Sequence, residues 1–353
     1  MTEKKPFLQS LHYFRGFAII NIMIAHVWTG PSGDTSIYAQ ATGIIDTMRE
    51  VFFHNSTIYF IFVSGFLAEY LSATRNPLRY YRKKFLYIIL PYIIMSSLWF
   101  FWSAQNNHIP EHDFLTASGT YLSWLTYGQA QIQYWYIPFI AIIFVISPMI
   151  FNIPHTTFKW IVAATSLLPL LGTRTATDIT IFQFIYFLPV YLQGIYAARN
   201  YDTLLAITAQ YKIGIVLLIM ASTGVLVFSN THSLSFGVLN FSESMHYIQK
   251  AGILLIVLSF FEQRARDAQA GMLDLFASYS FALYFTHVTV SMYLVWKLLP
   301  PQTFYSLSFF NSSIFMVFIA SILYLLIKIV ATLLSCMIAK KITGRFSRFL
   351  IGA

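Results

Sequence analysis

Apolar stretches long enough to cross a bilayer recur from one end of this sequence to the other, separated by short polar connections. Of 353 residues, 57% are hydrophobic, 10% are charged and 34 are phenylalanine, more apolar surface than a soluble core of this size can hide. The bilayer is therefore the chain's main solvent. The pattern predicts an all-α, polytopic integral membrane protein with about ten transmembrane helices. The expected spans lie near 10–29, 51–72, 85–103, 132–152, 158–172, 180–198, 212–230, 246–262, 275–297 and 309–338. The fifth is short for a crossing.

A formal charge of +9 raises the question of nucleic acid, but the basic residues sit in short clusters between apolar spans and not along one soluble face. They read better as a topological signal, and no nucleic-acid partner is expected. With the N-terminus in the cytoplasm, the segment from Arg75 to Lys84, then Arg199, Lys212, Arg264, Arg266, Lys340, Lys341, Arg345 and Arg348 all fall inside. Arg49, Arg174, Lys250 and Lys297 remain outside. This asymmetry favours both termini in the cytoplasm and hence an even number of spans. Lys4 and Lys5 precede an apolar run without a small-residue cleavage site, so the run reads as a retained first helix. Cys336 is the single cysteine, which excludes an intramolecular disulfide and a cysteine-based metal site; no metal ligands are expected. No repeat or appended soluble domain interrupts residues 1–353, which are expected to form one membrane domain.

The first helix carries two ionisable residues, Arg15 and His26. Eleven residues at 100° each bring them within about 20° of whole turns, at a separation of roughly 16 Å, so they share a face. An ionisable group in a span must meet protein or water, which makes each a functional candidate. Arg15 also has a reading as a snorkelling cation, and His26 as a packed interfacial histidine. A neutral imidazole can take a proton from a hydroxyl near pH 7, and a guanidinium offers a planar fork for phosphate or carboxylate. Together they suggest group transfer more than ion conduction.

The loops expected outside, residues 30–50, 104–131 and 231–245, mix aromatic residues with Asp34, Asp46, Glu50, Glu111, Asp113 and Glu243. Such surfaces suit carbohydrate, although interfacial aromatics are common in membrane proteins. Glu243 reads as a solvated loop carboxylate, with orientation of a sugar hydroxyl as the other reading.

Several motifs in order resemble the membrane-bound acyltransferases called acyltransferase family 3. Leu11-His12-Tyr13-Phe14-Arg15-Gly16 through His26 is similar to that family's leading motif. Phe60-Ile61-Phe62-Val63-Ser64-Gly65-Phe66 resembles its aromatic segment ending in Ser-Gly-Phe. Arg79-Tyr80-Tyr81-Arg82-Lys83-Lys84 with Pro91-Tyr92 resembles its basic loop and following proline. Tyr134-Trp135-Tyr136-Ile137-Pro138-Phe139 and Ser278-Tyr279 through Tyr284 and His287 resemble its later segments. The resemblance covers nearly the whole chain. In two places the sequence departs from it: His12 stands where an aspartate is frequent, leaving any partner of Arg15 unassigned, and Ile88 where an arginine is frequent.

The resemblance implies transfer of an acyl group, most often acetyl, from cytoplasmic acetyl-CoA to a hydroxyl of an extracytoplasmic or lipid-linked carbohydrate. A bacterial cytoplasmic (inner) membrane location follows. It places Arg79, Arg82 and Lys83 on the nucleotide phosphates, with anionic membrane lipid as the competing ligand. The pantetheine arm would pass Arg15 towards His26, the general base of direct transfer; an acyl-histidine intermediate is the variant. Candidate cavity-lining residues are Ser64, Trp135, Tyr136, Tyr284 and His287. Ser64 also reads as a close-packing residue, Trp135 and Tyr136 as an interfacial pair, and His287 as structural. Partner proteins of polysaccharide synthesis fit the same setting. The alternative functions are a carrier or exporter of polysaccharide or its lipid-linked unit, and an inactive scaffold.

Overall fold

The computed structural model describes residues 6–33, 36–71, 76–106, 114–172, 174, 179–231, 235–236, 239–265 and 271–353. Lys4, Lys5, Asp34, Arg75, Glu111, Asp113 and Arg266 lie outside the described residues. The chain begins with helices α1 (Gln9–Val27), α2 (Ser36–Phe53), α3 (Thr57–Tyr70), α4 (Pro77–Lys84), α5 (Leu90–Gln105) and α6 (Phe114–Tyr127). It continues through α7 (Tyr136–Phe151), α8 (His155–Thr165), α9 (Ile181–Arg199), α10 (Tyr201–Gln210), α11 (Lys212–Thr231) and α12 (Phe241–Ala265). It ends with α13 (Met272–Ser278), α14 (Ser280–Thr289), α15 (Trp296–Leu298), α16 (Pro301–Tyr305), α17 (Ile314–Thr343) and α18 (Ser347–Leu350). Among the described residues the only sheet is an antiparallel pair of two-residue strands, β1 (Ser235–Phe236) and β2 (Leu239–Asn240).

Among the described residues, six helical segments are long and apolar enough to cross a membrane: Ser36–Tyr70, Pro77–Gln105, Ile181–Arg199, Lys212–Asn230, Phe241–Ala265 and Ile314–Leu350. Other stretches expected to cross are shorter or more polar. Helix α1 has 19 residues, but His12, Arg15, Asn21 and His26 dilute its apolarity. Helix α7 has 16 residues and α8 only 11. The stretch 275–297 is broken at Tyr279 between α13 and α14. Residues 30–50, expected as a loop, contain most of α2. Its buried Ala41, Ile45 and Val51 are interspersed with polar residues, which masks the helical stripe.

Local breaks have identifiable causes. Between α2 and α3, Asn55 adopts φ 59°, a left-handed conformation that asparagine tolerates better than most residues. Before α5, residues Phe85–Ile89 form a π-helical turn, and the Leu90 N–H donates to the Phe85 carbonyl. Pro91 explains the widening, since it has no N–H for the Tyr87 carbonyl and its ring would press on it.

The chain divides into two packed units. The first takes in residues 1–7, 61–201 and 339–353, and the second residues 8–60 and 202–338. In the first unit α3 and α9 cross with their backbones in close approach. A Cβ on Gly65 would lie 2.1 Å from the Tyr191 carbonyl oxygen, and one on Gly194 would lie 2.2 Å from that of Phe62. The Gly65 of the Ser-Gly-Phe segment is thus the residue that permits this crossing. Arg199 closes the same unit, pairing with Glu69 at 3.2 Å and donating to the carbonyls of Phe151 and Ile153.

In the second unit α1 is enclosed by α2, α12, α13 and α14. Leu11, Phe14, Ala18, Ile19, Ile22 and Met23 are all buried, as expected of a helix apolar on most sides. A Cβ on Gly16 would lie 2.4 Å from the Leu273 carbonyl oxygen, so this glycine lets α13 sit directly on α1. A further aromatic core joins Phe304, Tyr305 and Tyr324 to Val317, Ala320 and Ala41.

Candidate functional site

Helices α1 and α14 meet twice, at Arg15 and again at His26. The Arg15 Nη2 donates to the Ser280 Oγ at 2.8 Å and to the Ala277 carbonyl at 3.3 Å. It therefore grips the break between α13 and α14, where backbone carbonyls run out of helical partners. The His26 ring lies 5.5 Å, centroid to centroid, from that of His287, tilted by 42°. The shared face of Arg15 and His26 is the face turned to α14, and the two helices run in the same sense.

His287 is fully buried, and its Nδ1 lies 2.9 Å from the Leu283 carbonyl and 3.0 Å from that of Tyr284. A carbonyl can only accept, so Nδ1 carries the proton and Nε2 presents a lone pair. Among the described residues that Nε2 has no hydrogen-bond partner, and neither has the buried Ser291 Oγ four residues on. An unsatisfied buried polar atom costs about 1–3 kcal/mol. Two of them so close in sequence, one turn apart on a helix that widens to a π-helical turn over Val290–Val295, mark a place suited to a polar ligand.

The C-terminal end of α1 is held by two cations. The buried Lys328 donates to the Val27 carbonyl at 2.8 Å and to the Thr29 Oγ1 at 3.0 Å, and Arg49 donates to the Trp28 carbonyl at 3.0 Å. Both oppose the negative end of the helix dipole one turn from His26. Lys328 went unremarked in the sequence, although a lysine inside the last apolar run is a visible signal. The partner of His12 was not readable: Asp274 of α13 reaches its Nε2 at 3.1 Å. A carboxylate thus stands beside the arginine's end of α1, although position 12 itself carries an imidazole.

The first unit holds the other candidates. On α4, Asn76 caps the helix by accepting the Arg79 N–H at 3.1 Å, and Pro77 opens it. Arg79, Arg82 and Lys83 are exposed and, at i, i+3 and i+4, share one face. Lys84 turns the other way, its Nζ 3.9 Å from the centre of the Phe144 ring. The Ser64 Oγ and Tyr136 hydroxyl are hydrogen-bonded at 2.9 Å. Trp135 is buried and stacks on Phe187 at 5.5 Å. Tyr284, in the second unit, is also buried, stacked on Phe281. Glu243, expected as a solvated carboxylate, is buried against His54 and Asn55.

The family model of the acyltransferase domain matches residues 8–341. The chain belongs to acyltransferase family 3. No curated protein and no solved structure matches it. As an acyltransferase with apolar helices of spanning length, it is a multi-pass membrane enzyme. The matched region contains the first helix, the basic α4 and the α14 histidine, so both units contribute to the acyltransferase domain.

Proposed function

We propose that this acyltransferase moves an acetyl group from cytoplasmic acetyl-CoA to a hydroxyl of an extracytoplasmic or lipid-linked carbohydrate in a bacterial inner membrane. The chain would then have ten spans with both termini in the cytoplasm, as its charge asymmetry favours. The observation that carries the reading is the His26–His287 pair, in which the tautomer of His287 leaves its buried Nε2 without a hydrogen-bond partner among the described residues. In this reading His26 takes the proton of the acceptor hydroxyl as its oxygen attacks the thioester carbonyl carbon. The tetrahedral intermediate collapses with cleavage of the C–S bond. The imidazolium returns its proton to the departing thiolate, giving an ester and free coenzyme A.

Arg15 acts as a positioning residue, since its Nη2 donates to Ser280 Oγ and the Ala277 carbonyl. It holds α14, and with it His287, against α1. Arg79, Arg82 and Lys83 supply three cations on one exposed face for the nucleotide phosphates. Tyr136 and Ser64 are assigned to packing within the first unit. The test is comparison of the cell's surface polysaccharide by NMR and mass spectrometry with and without the gene. Polymer present but lacking acetyl esters supports the reading. Loss of the polymer itself, with unchanged acetylation of what remains, supports a carrier in its place.

A further inference from the structure

Away from the His26–His287 pair, a second group of ionisable side chains lies where α2 ends and α12 begins. His54 Nδ1 is 3.1 Å from Glu50 Oε1, and His54 Nε2 is 3.2 Å from Glu243 Oε1. The second oxygen of Glu243 accepts a hydrogen bond from the Asn55 side-chain amide. His246 Nε2 lies 3.9 Å from Glu50 Oε1, and the rings of His54 and His246 are 4.7 Å apart. One ligand atom from each of Glu50, His54 and His246 falls within 4.8 Å of the others.

We infer that Glu50, His54 and His246 form a site for one zinc-class divalent cation, with Glu243 orienting His54. This departs from the expectation of no metal ligands and is independent of the acyl-transfer reading. Two imidazoles and one carboxylate are the donor set that borderline cations favour and that calcium and magnesium do not. Zinc with bonds of about 2.0–2.2 Å needs tetrahedral ligand atoms roughly 3.4 Å apart, and the three atoms here already lie within 4.8 Å of one another.

The surroundings suit the role. A metal-bound histidine commonly donates its other N–H to a carboxylate, and Glu243 stands at that position for His54, itself held by Asn55. Neighbouring cations are committed elsewhere. Lys250 donates to the Phe52 carbonyl at 2.6 Å and to the Gln249 Oε1 at 2.9 Å, while Arg49 pairs with Asp46 at 2.9 Å. The Glu50 side chain is 47% exposed, which leaves the remaining coordination position open to water or to an oxygen ligand.

The experiment uses the full-length protein in detergent, stripped with chelator and titrated with Zn²⁺ alone, with Co²⁺ as the spectroscopic probe. The parent is expected to take up one equivalent of Co²⁺ with visible ligand-field bands that Zn²⁺ abolishes. Glu243→Gln is expected to keep the stoichiometry and weaken Zn²⁺ about tenfold, and a combined His54→Gln and His246→Gln variant to weaken it at least about 100-fold. Absence of one-equivalent binding by the parent overturns the proposal, whether or not the variants fold. So does an unchanged affinity in the double histidine variant.

Discussion

The two units present different chemistry: exposed cations on one helix in the first, a buried histidine pair in the second. In the first, Ser64 bonds to Tyr136, Ser147 to Tyr191 at 2.7 Å and Arg199 to Glu69, while the buried Tyr80 hydroxyl and Ser96 Oγ have no hydrogen-bond partner among the described residues. On its surface lie the three exposed cations of α4. In the second, two polar atoms at the α14 end, His287 Nε2 and Ser291 Oγ, are buried without a partner among the described residues. An imidazole whose tautomer leaves a lone pair on Nε2 suits proton chemistry, whereas exposed cations on one helical face suit recognition of phosphate. On the proposed function, proton chemistry falls to the second unit and donor capture to the first.

The most forceful way to break this division is His26→Ala. Removing a general base is expected to lower acyl transfer by about 10²–10⁴-fold, while acetyl-CoA binding, read by equilibrium titration, stays at the parent level. Equal loss of both would merge the two roles. Next in size is Arg15→Met, which retains bulk but loses the Ser280 bond. Transfer is expected to fall by about tenfold or more through misplacement of α14, with part of it restored in Arg15→Lys.

Neutralising α4 sharpens the other half. Arg79→Gln with Arg82→Gln is expected to raise the KM for acetyl-CoA roughly tenfold with kcat nearly unchanged at saturation, the pattern of lost uniform binding. A fall in kcat alone would place these arginines in the chemistry. Gly65→Val probes the first unit's packing. The new side chain meets the Tyr191 carbonyl, and a loss of roughly 1–3 kcal/mol should appear as earlier thermal inactivation in detergent. Smallest is Ser64→Ala, which removes one hydrogen bond worth about 1 kcal/mol and should leave the transfer rate within about twofold.

Much of the site was legible because helical geometry is regular. Arg15 and His26 were placed on one face by counting residues, and both do turn to α14. From the sequence His287 reads as structural or as cavity-lining, and only its neighbours describe its surroundings. The backbone carbonyls that fix its tautomer lie three and four residues back, yet whether Nε2 finds a partner is a question of tertiary packing. Ser280 was hidden beside Ser278, which the motif favoured. Asp274, 262 positions after His12, could be assigned to it only in three dimensions. Helix α2 was missed because one buried stripe among Gln40, Asp46, Arg49 and Glu50 resembles a polar loop. The crossing at Gly65 was half visible: Ser64 was read as a close-packing residue, and its neighbour turned out to be the one in contact.

The most direct measurement follows isotope-labelled acetyl from acetyl-CoA into extracted surface polysaccharide, using membranes that carry either the parent or His26→Ala at equal abundance. The account predicts labelled ester with the parent and at least a 100-fold slower appearance with the variant. Labelling at the parent rate by His26→Ala would contradict it.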